Sequence, residues 1–163
     1  MSESKQFCTF RLGDLFLGVE VSRVQEVLRY QDMTNVPLTS PVIAGLINLR
    51  GQIVTAIDLR RRFGLPPQDG ANALPMNVVV RTDDDVVSLL VDEIGDVLEI
   101  DDDTFAPPPA TLAGVARDLI RGVHKLEGQL LLVLDVQATL NIDAASVADY
   151  SSIGATEPTA TAS

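Results

Sequence analysis

A pattern that occurs twice constrains this chain more than any other feature. The stretch from Gly45 to Gly64, GLINLRGQIVTAIDLRRRFG, holds two apolar runs, a charged turn between them and a capped helical turn at its end. Displaced by 77 residues, Gly45 falls on Gly122, Leu49 on Leu126, Gly51 on Gly128, Gln52 on Gln129 and Asp58 on Asp135. Upstream, a displacement of 70 sets Arg11 on Arg81, Asp14 on Asp84, Val21 on Val91 and Val27-Leu28 on Val97-Leu98. The chain is therefore two copies of one design, with a short insertion near Pro107-Pro108-Pro109. Two copies are too few for a solenoid, which needs three or more. A half of about 70 residues is marginal alone, because a small domain buries too little of its surface. Two small sheets packed on a shared core are the expected solution.

Most segments read as strands. Residues 7–12 and 15–21 flank Gly13-Asp14 as a hairpin, and residues 76–82 and 86–91 flank the acidic turn Asp83-Asp84-Asp85 as a second. Residues 46–49 and 53–57 make a third around Arg50-Gly51-Gln52, with Gly51 suited to a positive φ. Asp58 is a good N-cap for a short helix over 59–63, and Gly64 a good residue to stop it. Residues 22–28 fit either a helical turn capped by Ser22 or the start of a strand. Ser40-Pro41 suits the opening of a short helical turn, since proline is favoured at the first helical position. Residues 65–75, with Pro66, Pro67, Gly70 and Pro75, are the expected connector between halves. Residues 97–100 form another strand, and 112–121 are weakly helical. From Ala144 onward the chain is mostly Ala, Ser and Thr with scattered acids, so residues 144–163 are expected to be a disordered tail.

The sequence offers little catalytic chemistry. Its one histidine, His124, has no nucleophile beside it and reads as a partly exposed structural residue. Cys8, the only cysteine, sits in an apolar run and reads as a small core residue in a reducing compartment. Zinc-type Cys/His clusters are absent. The acidic triplets 83–85 and 101–103 lack the alternating spacing of a calcium loop. No glycine-rich phosphate loop appears. No cofactor and no metal are expected. A net charge of −11 argues against nucleic acid and against an anionic membrane surface. No apolar run approaches the ~20 residues of a membrane span. The MSESKQF start lacks the apolar core of a signal peptide, so a cytoplasmic protein is expected.

What remains is recognition surface. Arg50 sits at the turn of the repeated pattern and Glu26 lies upstream. An arginine–carboxylate pair across a sheet edge would fix a docking loop, although an ordinary surface ion pair would look the same in sequence. Arg60, Arg61 and Arg62 read as a solvated helix face.

At this point the chain resembles the CheW-like domains, most closely their stand-alone chemotaxis coupling members. The resemblance rests on FRLGDLFLGVEV, VQEVLR over 24–29, GLINLRGQIVTAIDLRRRFG, VVSLLVDEIGDVLEI over 86–100 and the 122–141 pattern, and covers residues 5–142. It implies an all-β fold of two SH3-like five-stranded β-barrels around a shared hydrophobic core, with short helices. On that reading the first barrel spans about 15–75 and the second about 76–140, with exchange of the N-terminal strand between them allowed. The resemblance further implies a non-enzymatic adaptor between transmembrane chemoreceptors and a CheA-type histidine kinase. One surface of the first half would bind the kinase regulatory domain, and a groove between the halves would receive the receptor's cytoplasmic tip. The protein would be a monomer alone and a component of receptor arrays. Val24, Glu26, Gly45 and Arg50 match family positions tied to partner binding. Gly45 would admit close approach of partner backbone, or serve conformation alone. Residues 104–112 are proline-rich and depart from the family pattern, with Phe105 as candidate for a second contact. A same-fold adaptor of a non-flagellar receptor–kinase pathway is the alternative. A small-molecule-binding or catalytic barrel is a third reading, for which the sequence supplies no cluster of acids or bases.

Overall fold

The computed structural model describes residues 3–37, 39–66, 74–83, 85–110, 112 and 114–140. Among these described residues, eleven strands and three short helices run in the order β1 (Ser4–Leu12), β2 (Leu15–Glu20), β3 (Val24–Leu28), β4 (Ile43–Leu49), β5 (Gln52–Asp58), α1 (Leu59–Arg62), β6 (Met76–Arg81), β7 (Val86–Val91), β8 (Glu93–Asp101), β9 (Phe105–Ala106), α2 (Gly114–Leu119), β10 (Ile120–Leu126), β11 (Gln129–Leu134) and α3 (Val136–Leu140). A single 3₁₀ turn at Val21–Arg23 precedes β3, so the segment with two readings is both a turn and a strand. Ser40-Pro41 opens a turn, not a helix: the Ile43 amide donates to the Ser40 carbonyl at 3.0 Å. The expected tail and most of the expected connector lie outside the described residues.

The strands form two SH3-like sheets, one in the order β3-β6-β7-β5-β4 and the other β8-β1-β2-β11-β10-β9. Neither follows the expected division at residues 75 and 76. The β6–β7 hairpin of the second half joins the first half's sheet through parallel pairing of Thr55 with Val87. The β1–β2 hairpin of the first half joins the second sheet through parallel pairing of Leu132 with Leu17. The halves thus exchange hairpins reciprocally, not only at the N-terminus. An antiparallel hairpin is satisfied locally, but its outer edge needs a partner, and here each finds it in the other half.

Each sheet curls shut in the same way. In the first, the chain after β3 crosses back so that Thr34 pairs with Leu46 of β4, exchanging two hydrogen bonds of 2.8 Å. In the second, β8 runs through the 3₁₀ turn Asp102–Thr104 into β9, which pairs with β10 at Ala106–Val123. Both crossings need a glycine beneath them. A Cβ on Gly45 would stand 2.7 Å from the Thr34 carbonyl oxygen, and one on Gly122 2.6 Å from that of Ala106. The space above Gly45 is filled by the chain's own backbone, which is the conformational reading of that residue rather than room for a partner.

Three apolar clusters follow from this closure. Ile47, Leu49, Val54, Ala56, Val79 and Leu90 fill the first barrel. Phe7, Ile100, Leu131 and Val133 fill the second. The largest cluster lies between them and draws on both halves, including Phe10, Leu17, Ile57, Val78, Leu89, Val123 and Leu134. Neither half owns that core. Cys8 is buried, and burial raises its thiol pKa.

His124 is buried rather than partly exposed, at 1% of its surface. Its Nδ1 lies 2.7 Å from the Thr104 hydroxyl, and the rings of Phe7 and Phe105 meet it edge-on. It stands at the position equivalent to Ile47, inside the barrel. Burial lowers its pKa, the Asp102 charge opposes that and Lys5 adds to it.

The arginines of α1 are not a solvated face. Arg60 donates Nε and an Nη to the two oxygens of Asp92, at 2.8 and 2.6 Å, and its other Nη to the Pro66 carbonyl. Asp92 also accepts the Gly13 amide at 2.7 Å, so α1, the β1–β2 turn and the β7–β8 junction meet at one carboxylate. Arg62 donates to the Thr139 and Ala138 carbonyls at the end of α3. Only Arg61 projects largely into solvent.

Candidate functional site

The β4–β5 hairpin carries the candidate residue Arg50 at its turn. Leu49 pairs with Gln52, leaving Arg50-Gly51 as a two-residue turn. Both residues have positive φ, 52° and 88°, the requirement of a type I′ turn, whose sense of twist suits paired strands. Asn48 Oδ1 accepts the Gly51 amide at 2.9 Å and holds the turn. Asn or Gly is the usual first residue of such a turn; an arginine there carries a backbone cost of about 1 kcal/mol. Arg50 is the one non-glycine residue with positive φ among the described residues. The repeat does not force it: the equivalent hairpin, with Glu127-Gly128 at its turn, has positive φ only at Gly128.

The Arg50 guanidinium reaches Glu26 on β3 in a bidentate pair, with N···O distances of 2.6 and 2.9 Å. β3 and β4 are the outer strands of the five-stranded sheet, so this pair spans the seam at which the barrel closes. The two hydrogen bonds lower the Glu26 pKa and raise that of Arg50. Arg50 still exposes 75% of its side chain while Glu26 exposes 19%, so the cation is tethered at its tip and presented to solvent. In the second half the positions equivalent to Glu26 and Arg50 are Asp96 and Glu127, two acids, and the device is not repeated.

Two exposed apolar side chains lie close to the pair in sequence. Val27 is 42% exposed on β3 and Ile53 61% exposed on β5, one residue beyond Gln52. Their equivalents, Val97 and Leu130, are also exposed. Val24 packs on the shared core and fixes the start of β3. Gly45 lies beneath the Thr34 crossing. Phe105 lies on the other barrel, half exposed, with one edge on His124. The structure therefore joins Glu26 and Arg50 directly, places Val24 and Gly45 in the framework beneath them and sets Phe105 apart. Exposed Val27 and Ile53 were not singled out by sequence reasoning. The signal available was the strand alternation, which sets Ile53 on the face opposite buried Val54.

A groove of about 560 Å³ opens on the first barrel at the edge of the shared core, lined by Ile43, Ile53, Ile57, Val86, Val87 and Leu140 and by the polar Gln52, Thr55, Arg81, Thr82, Asp83 and Asp85. Among the described residues no group of three or more His, Cys, Asp or Glu side chains is placed to hold a metal ion. No described helix is long and apolar enough to cross a membrane.

The family model of the CheW-like domain matches residues 6–144. A Bacillus subtilis chemotaxis protein CheW is 31% identical over 140 residues, covering 84% of this chain and 87% of the relative. A Treponema pallidum chemotaxis protein CheW is 28% identical over 137 residues, covering 82% and 81%. The crystal structure of the scaffolding protein TtCheW from Thermoanaerobacter tengcongensis superimposes with a TM-score of 0.78 at 25% identity, over 88% of this chain and 97% of that one.

Proposed function

This chain belongs to the CheW-like domain family of non-enzymatic chemotaxis scaffolds, and from that premise we propose that it couples transmembrane chemoreceptors to a CheA-type histidine kinase. It works in the cytoplasm, recruited to receptor arrays. The Arg50–Glu26 seam is the docking surface for the kinase regulatory domain, and the groove at the edge of the shared core takes the receptor's helical tip.

One observation carries the reading of the seam. Arg50 occupies a left-handed backbone conformation that its counterpart in the repeat avoids, and its side chain is tethered yet three-quarters exposed. Strain kept where nothing in the fold requires it points to a role outside the fold. A fixed guanidinium, with exposed Val27 next to Glu26 on β3, offers a charged centre and an apolar neighbour, a common composition for a docking surface. Val24 and Gly45 act at one remove, by holding β3 and β4 in place. Phe105 provides a second, separate contact.

The test is binding of the purified chain to a CheA-type regulatory domain and to receptor-containing membranes, in parallel with Arg50→Glu. Folding of the variant is checked by circular dichroism and thermal melting. Loss of kinase binding by roughly tenfold or more, the size of one truncated hot-spot residue, is expected with the fold intact. A folded variant that binds like the native chain would make Arg50 surface decoration. Binding of neither partner by the native chain would assign it to another receptor–kinase pathway.

A further inference from the structure

The two barrels are closed by matching crossings, but only the second closes over a titratable group. In the first, the Thr34–Leu46 bridge shuts an apolar interior, with Ile47 at the position equivalent to His124. In the second, β9 is two residues long, and its Phe105 and Ala106 pair with His124 and Val123. The Phe105 ring lies on Gly122 and meets the His124 ring edge-on, yet the residue remains 47% exposed. This short ladder and the Thr104–His124 contact hold β9 down.

The hydrogen bonds fix which imidazole nitrogen carries the proton. The Thr104 hydroxyl lies 2.9 Å from the Asp101 carbonyl, which can only accept, so its one hydrogen goes there. The hydroxyl oxygen is left to accept from His124 Nδ1 at 2.7 Å. The neutral ring therefore carries its proton on Nδ1, and Nε2 is bare. Among the described residues Nε2 has no hydrogen-bond partner. The strand neighbours of His124 in register, Leu131 and Phe105, are apolar, and Phe7 of β1 meets the ring edge-on. Two charges act on the ring: Asp102 of the 3₁₀ turn favours its protonation and Lys5 of β1 opposes it. Glu99 and Asp101 of β8, Asp103 of the turn and Lys125 of β10 are exposed, and Arg121 faces Glu20. A second proton would thus place a charged N–H in a buried site without an acceptor, which is strongly unfavourable. Water becomes the acceptor once β9 lifts. We propose that the His124–Thr104 pair is an acid-sensitive latch: protonation at Nε2 releases β9 and the Phe105 ring from β10 and opens the second barrel, while the first stays shut. In the closed barrel burial holds the His124 pKa below its ordinary value. In the lifted one the ring is an ordinary solvated imidazole. Opening therefore takes up a proton, and becomes easier by up to about tenfold for each pH unit below about 6.5. The latch is a property of the fold and does not rest on the coupling role.

The test is amide hydrogen exchange on the full chain, followed by NMR at pH 7.5 and pH 5.5 (roughly one unit either side of the ordinary imidazole value) and corrected for intrinsic rates. Protection of the ladder amides at Phe105, Ala106, Val123 and His124 should fall roughly tenfold in acid. The Thr34 and Leu46 amides, which bridge the first crossing, should keep theirs. An unchanged ladder, or equal losses at both crossings, would overturn the proposal. Nitrogen spectra of the imidazole at neutral pH should show a proton on Nδ1 and none on Nε2, and the opposite tautomer would overturn it as well. His124→Ile, which installs the first barrel's side chain, should abolish the acid response; a response that persists in the folded variant would assign it to another group. Thr104→Val keeps the shape of the side chain but removes the acceptor of Nδ1–H, and should loosen the ladder already at pH 7.5. Native protection of the ladder in that variant would refute the latch.

Discussion

Gly45→Ala tests whether the space above Gly45 belongs to the fold or to a partner. The new methyl carbon would lie 2.7 Å from the Thr34 carbonyl oxygen and 3.0 Å from the Met33 Cβ. An ordinary carbon–oxygen contact is no closer than about 3.3 Å. The oxygen cannot swing aside, because it is backbone and accepts the Leu46 amide while the Thr34 amide donates back. Relief requires the crossing to lift, weakening two hydrogen bonds worth about 1 kcal/mol each. If it stays, overpacking costs about 1–3 kcal/mol. Alanine recovers about 0.5–1 kcal/mol over glycine in a strand. The balance is a loss of about 1 kcal/mol, or roughly 2–4 °C in Tm for a chain of this size. Urea unfolding followed by circular dichroism measures it directly. A variant as stable as the native chain, but impaired in kinase or receptor binding, would refute the argument and return the space to a partner.

Three further outcomes follow from the structure. Asp92→Asn should destabilise the fold by about 3 kcal/mol at neutral pH, since it strips a largely buried arginine of its charge partner. Burial alone would raise the Asp92 pKa, but hydrogen bonds from Arg60 and the Gly13 amide lower it on balance. Its contribution is therefore complete above about pH 4 and is lost as the pH falls through the folded value, so native and variant unfolding midpoints should converge in acid. His124 has a lowered folded pKa, so the unfolded chain takes up the proton first and stability should fall as the pH drops below about 6.5. His124→Ile, which installs the side chain that Ile47 supplies in the other barrel, should flatten that slope in denaturant titrations at several pH values; an unchanged slope would show that another group titrates. Deleting residues 146–163 should leave Tm nearly unchanged, because their Ala-, Ser- and Thr-rich composition offers little apolar area to bury; a large loss would mean that the deleted residues pack on a barrel.

Much of this was legible because it is local. The Gly13-Asp14 and Arg50-Gly51 turns, the Asp58 cap and the Gly64 stop each depend on a few adjacent residues and appear as expected. The Glu26–Arg50 pair was legible as a pairing of types, although its geometry was not. The exchange of hairpins was hidden because strand partners are chosen by non-local edges, and the internal repeat is the same whether hairpins stay home or cross. Arg60 and Arg62 looked solvated because their acceptors, Asp92 and the end of α3, are distant in sequence. His124 was misjudged from its polar neighbour Lys125, yet the repeat sets it on Ile47 and could have revealed a barrel interior. The site beneath Arg50 was partly veiled for a similar reason: nothing near Gly45 in sequence indicates that Thr34 lies across it.

The reciprocal exchange of hairpins also sets a timetable for synthesis. The β1–β2 hairpin leaves the ribosome first, but its parallel partner β11 is made about 110 residues later, a wait of roughly 5–20 s at ordinary elongation rates. Neither barrel can close from its own half, and the first must await β7. The nascent chain therefore carries unpaired strand edges for most of its elongation, and the two barrels mature nearly together once the second half has emerged. Crowded nascent chains could satisfy the same edges in trans, by trading hairpins between molecules. Slow elongation before β11, rather than low final stability, is the condition under which this protein would misassemble.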